Sequence, residues 1–222
     1  MSAGSRLPLH YRFGLWFAHG FFRVLSRMDV RGLEHIPYTG PLIVAANHMH
    51  VLDLPVVFDV VPRRQTVFAA NKWQGKFGGW LMQVFADAIF VERGEPDRQA
   101  ISKALDIVKR GGALGVAPEG TRSRTGGLID GKPGTVYLAS RSGAPILPIV
   151  VWGQERAIRE WAHLRRPEIH VRIAEPISLP PAAEHFRTAD LAAYTDLLML
   201  TLARMLPPEY RGVYASRVDE QS

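Results

Sequence analysis

The sequence predicts a single α/β domain: a largely parallel mixed sheet flanked by helices, with an N-terminal membrane-interface helix ahead of it. Three observations lead there. Short apolar runs alternate along the chain with longer amphipathic stretches, the pattern of strand–helix units that build a parallel sheet. A chain of 222 residues, 47% apolar and 22% charged, has the composition of a folded domain large enough to bury a real core. Residues able to do chemistry fall directly after the apolar runs, where open α/β sheets present their sites. The organisation expected is an amphipathic membrane-associating helix over 1–28, the α/β domain over 29–206 and a poorly ordered tail over 207–222.

Each element has its own reason. Leu7–Met28 crowds Tyr11, Phe13, Trp16, Phe17, Phe21 and Phe22 among Arg12, Arg23 and Arg27. Its uncharged stretch is about half the roughly 20 residues that span a bilayer, so it suits the membrane interface rather than a crossing. Trp73, Phe77, Trp80, Leu81 and Phe85, with Lys72 and Lys76, extend the same kind of surface. Strands are expected at Leu42–Ala46, Thr66–Ala70, Ala88–Val91, Leu114–Ala117, Ile146–Val151 and Ile169–Ile173. Between them Leu54–Val61, Gln74–Phe85, Arg98–Arg110 and Gly134–Ser142 read as helices. The clearest is Arg98–Arg110, whose Ile101, Ala104, Leu105 and Val108 form one stripe before Gly111-Gly112 end it. A last amphipathic helix, Leu191–Leu206, stops at Pro207-Pro208. Pro148, inside an apolar run, removes a ladder donor and points to an edge or a strand end.

A net charge of +6 and a pI near 9.9 imply an anionic partner. No long basic run and no zinc-like or RNP-like signature supports nucleic acid, which leaves a lipid surface. Zero cysteines exclude disulfides, thiol nucleophiles and Cys-ligated metals, and fit a reducing compartment. No secretory signal pattern is visible.

The chemistry concentrates in two segments. His48 and Asp53 stand five apart just after the Leu42–Ala46 run. An imidazole oriented by a carboxylate is a general base near neutral pH, able to take a proton from an alcohol. A chance match of this spacing occurs at His185 and Asp190, in a polar stretch read as a helix start. Pro118-Glu119-Gly120-Thr121-Arg122-Ser123 follows another strand and offers a glycine turn, hydroxyls and a guanidinium, a combination suited to phosphate. Arg93 leaves the end of Ala88–Val91 and can donate a bidentate pair to an anion. Pro145-Ile146-Leu147-Pro148 offers a rigid apolar wall, equally consistent with core packing. Base and phosphate clamp together suggest acylation of a phosphorylated alcohol.

In order, Asn47-His48-x4-Asp53, Ile89-Phe90-Val91-x-Arg93, Pro118–Ser123 and Pro145–Pro148 resemble the four motif blocks of the glycerolipid acyltransferase family. The resemblance covers roughly Val30–Ile177. It implies that His48 is the base and Asp53 orients it. It implies that Lys72, Arg93, Glu119, Gly120, Thr121 and Arg122 belong to the acceptor site, and that Pro145, Ile146 and Pro148 lie on the acyl-donor side. It further implies a lysophospholipid acceptor, 1-acyl-glycerol-3-phosphate first, and an acyl-CoA or acyl-carrier-protein thioester as co-substrate with no other cofactor and no metal. The expected place is the cytoplasmic face of the cell membrane, peripheral or monotopic, on an anionic surface. Two positions depart from the family pattern: His50 stands where a serine is usual, and Ala117 where an aromatic residue is usual. Two other readings stay open, a metal-dependent hydrolase built on His48, His50 and Asp53, and a non-catalytic lipid-binding module.

Overall fold

A computed structural model describes residues 9–92, 97–180 and 187–220. Helix α1 (Leu9–Leu25) leads into strand β1 (Arg27–Arg31), followed by β2 (Leu42–Ala46), α2 (Asp53–Val60), β3 (Gln65–Ala70), α3 (Phe77–Ala86) and β4 (Ile89–Val91). Then come α4 (Arg98–Lys109), β5 (Ala113–Val116), α5 (Gly134–Ser142), β6 (Ile146–Trp152), α6 (Ala157–Ala162), β7 (Glu168–Ile173), α7 (Thr188–Met205) and α8 (Ala215–Asp219). The strands form one seven-stranded sheet in the order β1-β7-β6-β2-β5-β3-β4. Every pairing is parallel except β6 with β7.

The sheet separates two apolar layers. On one face Ile43, Ala45, Leu114 and Val150 pack with residues of α4, α5 and α7. On the other, Val44, Leu147 and Ile149 pack with Phe22 of α1 and Val56, Val57 and Val60 of α2. Alternate residues of one strand serve opposite layers because the side-chain period is two.

Four features differ from the sequence expectation. Residues 27 and 28 belong to a strand, so the first helix stops at Leu25. The charged, alternating Arg27–Arg31 gains strand structure from pairing with β7, a non-local partner that no local pattern reveals. The helix end is satisfied by distant side chains: Trp161 Nε1 donates to the Leu25 carbonyl at 2.7 Å, and Arg166 donates to the Arg23 and Ser26 carbonyls at 2.7 Å each. Second, Pro148 lies in a central strand, between β2 and β7. It is accommodated because the β6–β7 register slips by one residue between the Ile146–Ile177 bridge and the Ile149–Ile173 pair. At that bulge its carbonyl accepts from Ala174 N at 3.0 Å and no donor is required. Third, α6 (Ala157–Ala162) is a helix that no periodic pattern announced.

Fourth, the segment after Pro207 is folded. Two 3-10 turns, Pro208–Tyr210 and Gly212–Tyr214, precede α8, and Tyr210, Tyr214 and Val218 are buried in the core. The backbone of this segment clasps Leu128: its N–H donates to the Tyr210 carbonyl at 3.0 Å and its carbonyl accepts from Val213 N at 3.1 Å.

Candidate active site

Because β2, β3, β5 and β6 run parallel, their carboxyl ends open on one edge of the sheet. His48 follows β2, Lys72 follows β3, Glu119 follows β5 and Gln154 follows β6. This is where the topology gathers loops from several strands.

Asn47 is buried and its side-chain amide pairs with Val151 in both directions, donating at 2.9 Å to its carbonyl and accepting at 2.8 Å from its N–H. That pairing fixes the end of β2 against β6. The next residue, His48, then turns toward a cavity of about 260 Å³. Asp53 opens α2, where a carboxylate is favoured by the helix dipole. Its Oδ2 accepts from Met49 N at 2.7 Å, His50 N at 2.8 Å and His48 Nδ1 at 2.9 Å. Its Oδ1 accepts from Gln154 Nε2 at 2.6 Å. A carboxylate already accepting three N–H bonds acts as acceptor toward the imidazole too. Nδ1 of His48 therefore carries the proton and Nε2 presents its lone pair.

The loop after β5 grips His48 from the other side. His48 N donates to Glu119 Oε2 at 3.1 Å, and the His48 carbonyl accepts from Ser123 N at 2.8 Å. Glu119 is fully buried and its Oε1 has no partner among the described residues. Burial pushes its carboxyl up to about 8, and the charge of Asp53 adds to this, while N–H donation from His48 and Ile129 pulls it back. Gly120 takes a left-handed φ of 69°, and a Cβ there would stand 2.9 Å from Lys132 Cδ, so the turn requires glycine. Ser123 Oγ closes the loop on the Gly127 carbonyl at 2.6 Å.

The cavity brings together His48, Asp53, Lys72, Thr121 and Arg122, with Arg124 and Trp73 beside them. Glu119 and Gly120 stand behind this wall as loop-forming residues. Arg93 lies outside the described residues, as does His185. Pro145 and Ile146 sit at the amino end of the β6 region, with Ile146 level with Ile43, at the edge away from His48, and Pro148 is core. None of the three lines the cavity. His50 turns its Nδ1 to Leu52 N at 3.4 Å, and both Asp53 oxygens are taken by N–H donors. Among the described residues no three His, Cys, Asp or Glu side chains converge as a metal-ligand set. Gln154 and Asn47 are the residues whose roles sequence reasoning missed. Their only signal was a polar side chain within two residues of the end of an apolar strand.

A family model described as acyltransferase matches residues 27–152. The 1-acyl-sn-glycerol-3-phosphate acyltransferase alpha of Mus musculus is 30% identical over 210 residues, 89% of this chain and 71% of that protein. The Homo sapiens protein of the same name is 29% identical over 197 residues, 84% of this chain and 67% of that one. The chloroplastic 1-acyl-sn-glycerol-3-phosphate acyltransferase BAT2 of Brassica napus is 25% identical over 173 residues, 76% of this chain and 50% of that one. The chain thus spans about two thirds of the mammalian proteins and half of the plant one. The crystal structure of the 1-acyl-sn-glycerophosphate (LPA) acyltransferase PlsC from Thermotoga maritima shares the fold, with a TM-score of 0.67, 24% identity, and coverage of 95% of this chain and 79% of that one.

Proposed function

The chain belongs to the acyltransferase family, and from that premise we propose that it acylates the free hydroxyl of 1-acyl-glycerol-3-phosphate to give phosphatidic acid. The donor is an acyl-CoA or acyl-carrier-protein thioester. The observation that carries this reading is the 2.9 Å contact between His48 Nδ1 and Asp53 Oδ2, with Nε2 left to face the cavity. Nε2 takes the proton of the acceptor hydroxyl as its oxygen attacks the thioester carbonyl. The tetrahedral intermediate collapses with cleavage of the C–S bond, and the imidazolium returns the proton to the departing thiolate. Asp53 holds the ring and stabilises the imidazolium between the two transfers.

The acceptor phosphate falls to the cations at the mouth. Lys72 and Arg122 are exposed and line the cavity, and Arg93 joins them on the strength of its motif. The membrane role of α1 rests on its outward face. Phe13, Trp16 and Phe17 are each at least 60% exposed, although Tyr11 and Phe22 anchor the other side in the core. Phe77 and Trp80 of α3, stacked at 5.9 Å, are exposed as well. Aromatic faces with Arg12, Arg23, Lys72 and Lys76 nearby suit the interfacial zone of an anionic bilayer. Among the described residues no helix is long and apolar enough to cross a membrane.

The test is acyl transfer from a long-chain acyl-CoA to lysophosphatidic acid on anionic vesicles, wild type beside His48→Ala. Transfer by the wild type that falls at least ~10²-fold in a folded variant supports the reading. Activity that survives the substitution overturns it.

A further inference from the structure

Gln65, the first residue of β3, is fully buried and lines the same cavity as His48, yet neither its Nε2 nor its Oε1 has a partner among the described residues. Its position is the far end. Gln65 pairs with Ala113, which pairs with Leu42, so it lies level with the start of β2, whereas His48 lies beyond that strand's end. The interval from Leu42 to His48 corresponds to roughly 20 Å at about 3.3 Å per strand residue. Between mouth and floor the sheet offers Val44 and Ala46 of β2, Val67 and Ala69 of β3 and Gly115 of β5, all lining the cavity. Leu54, Val57 and Met82 line it from α2 and α3. Gly115 lets two side chains lie close against β5: a Cβ there would stand 3.0 Å from Val67 Cγ1 and 3.5 Å from Gln65 Oε1. The same geometry puts the side-chain carbonyl oxygen of Gln65 against Gly115.

An apolar passage ending on an unpaired primary amide is not built for a plain hydrocarbon chain. A methyl terminus would leave both amide groups desolvated. A lone water would meet aliphatic neighbours such as Val44 and Val67, short of the roughly three polar partners a buried water holds. The nearby Tyr11 hydroxyl is already engaged, donating to the Arg63 carbonyl and accepting from the Gln65 backbone N–H. A hydroxyl, both donor and acceptor, complements the amide, and among the described residues no charged side chain lines the passage between Gln65 and the residues of the mouth.

We infer that Gln65 forms a polar recognition site at the cavity floor, selecting a lipid chain that carries a hydroxyl near its far end. The inference deepens the acyl-transfer reading, which it uses only to say which molecules bring the chain. That chain belongs either to the thioester donor or to the lysophospholipid acceptor.

The experiment compares ω-hydroxypalmitoyl-CoA with palmitoyl-CoA on an unmodified acceptor, and then ω-hydroxylated with plain lysophosphatidic acid on a plain donor. Wild type and Gln65→Leu are assayed side by side, with Gln65→Met as a second variant should the first fail to fold. Calorimetric binding of ω-hydroxypalmitate and palmitate, free acids that need no turnover, runs in parallel. The expected result is a roughly 5- to 100-fold preference for the hydroxylated chain in one arm, the size of one buried hydrogen bond made rather than left unmade. Both variants should lose it while keeping transfer of the plain chain. Equal kcat/KM for the two chains in both arms, with equal binding of the free acids, overturns the inference and leaves the acyl-transfer reading standing. A preference that persists in Gln65→Leu or Gln65→Met also overturns it. No transfer of any chain, with tighter binding of the hydroxylated acid lost in the variants, overturns the acyl-transfer reading alone.

Discussion

Gln154 Nε2 donates to Asp53 Oδ1 at 2.6 Å, joining the second residue after β6 to the carboxylate that holds His48. Both side chains are buried. This amide is the donor on the carboxylate oxygen that the His48 loop does not occupy. Gln154→Leu leaves that oxygen buried and unpaired, at a cost of about 1–3 kcal/mol in stability. A carboxylate with one donor fewer also holds its imidazole partner less firmly. The expected outcome is a lower kcat with little change in acceptor KM. An unchanged kcat beside lowered stability would assign Gln154 a purely structural part.

Glu119 makes stability depend on pH in a particular direction. Its folded carboxyl titrates at about 8, above the ordinary 4.5. Between those values the native state holds a proton that the unfolded chain has released. Stability is full below about pH 4.5, declines as pH rises toward 8, and changes little from this source beyond it. Glu119→Gln keeps an acceptor for His48 N and removes the titration. Denaturant midpoints across this range should fall with pH in the wild type and flatten in the variant.

Arg122→Ala removes an exposed cation from the cavity mouth without touching the His48–Asp53 pair. Acceptor KM should rise by roughly tenfold, with kcat within a factor of about three, the pattern of lost ground-state binding. Steady-state kinetics with lysophosphatidic acid as the varied substrate decides it. An unchanged KM would remove Arg122 from the phosphate site.

The C-terminal segment holds the loops that hold the site. Tyr214 Oη accepts from Gly131 N at 3.0 Å, and Tyr210 Oη donates to Glu155 Oε1 at 2.7 Å. Glu155 Oε2 in turn accepts from Gly153 N at 2.8 Å, next to Gln154. Truncation after Leu206 should lower the melting temperature by several degrees or more and reduce activity, because Leu128 loses both its backbone partners. Tyr214→Phe, which removes one acceptor, should cost about 0.5–1.5 kcal/mol, measured by denaturation.

Trp16→Ser and Phe17→Ser remove exposed rings from α1. Each should weaken partition onto anionic vesicles on the order of tenfold while leaving the melting temperature within about 2 °C. Co-sedimentation measures the first quantity and thermal unfolding the second.

Much of the fold follows from local pattern. β2 and α5 coincide with the residues their apolar periodicity marks, and β3, β5, β6 and β7 do so within a residue at each end. What escaped has a common cause. Arg27–Arg31 is charged at alternate positions and becomes a strand through β7, distant in sequence. Pro208–Asp219 is short and rich in turns, and is ordered by Leu128 and Gly131 rather than by its own propensity.

The sequence by itself determined the alternating architecture and the placement of His48, Asp53, Thr121 and Arg122 just beyond apolar strands, because strand ends and short spacings are local properties; Lys72, which lines the same cavity, was marked only by the family resemblance. Tertiary structure alone decided which distant groups reach them. Sheet order set Gln154 on Asp53, Glu119 on the backbone of His48 and Gln65 on the cavity floor. It also moved Pro145 and Ile146 away from the chemistry, to the opposite edge of the sheet. Register and strand order arise from non-local pairing, and no spacing along a single chain encodes them.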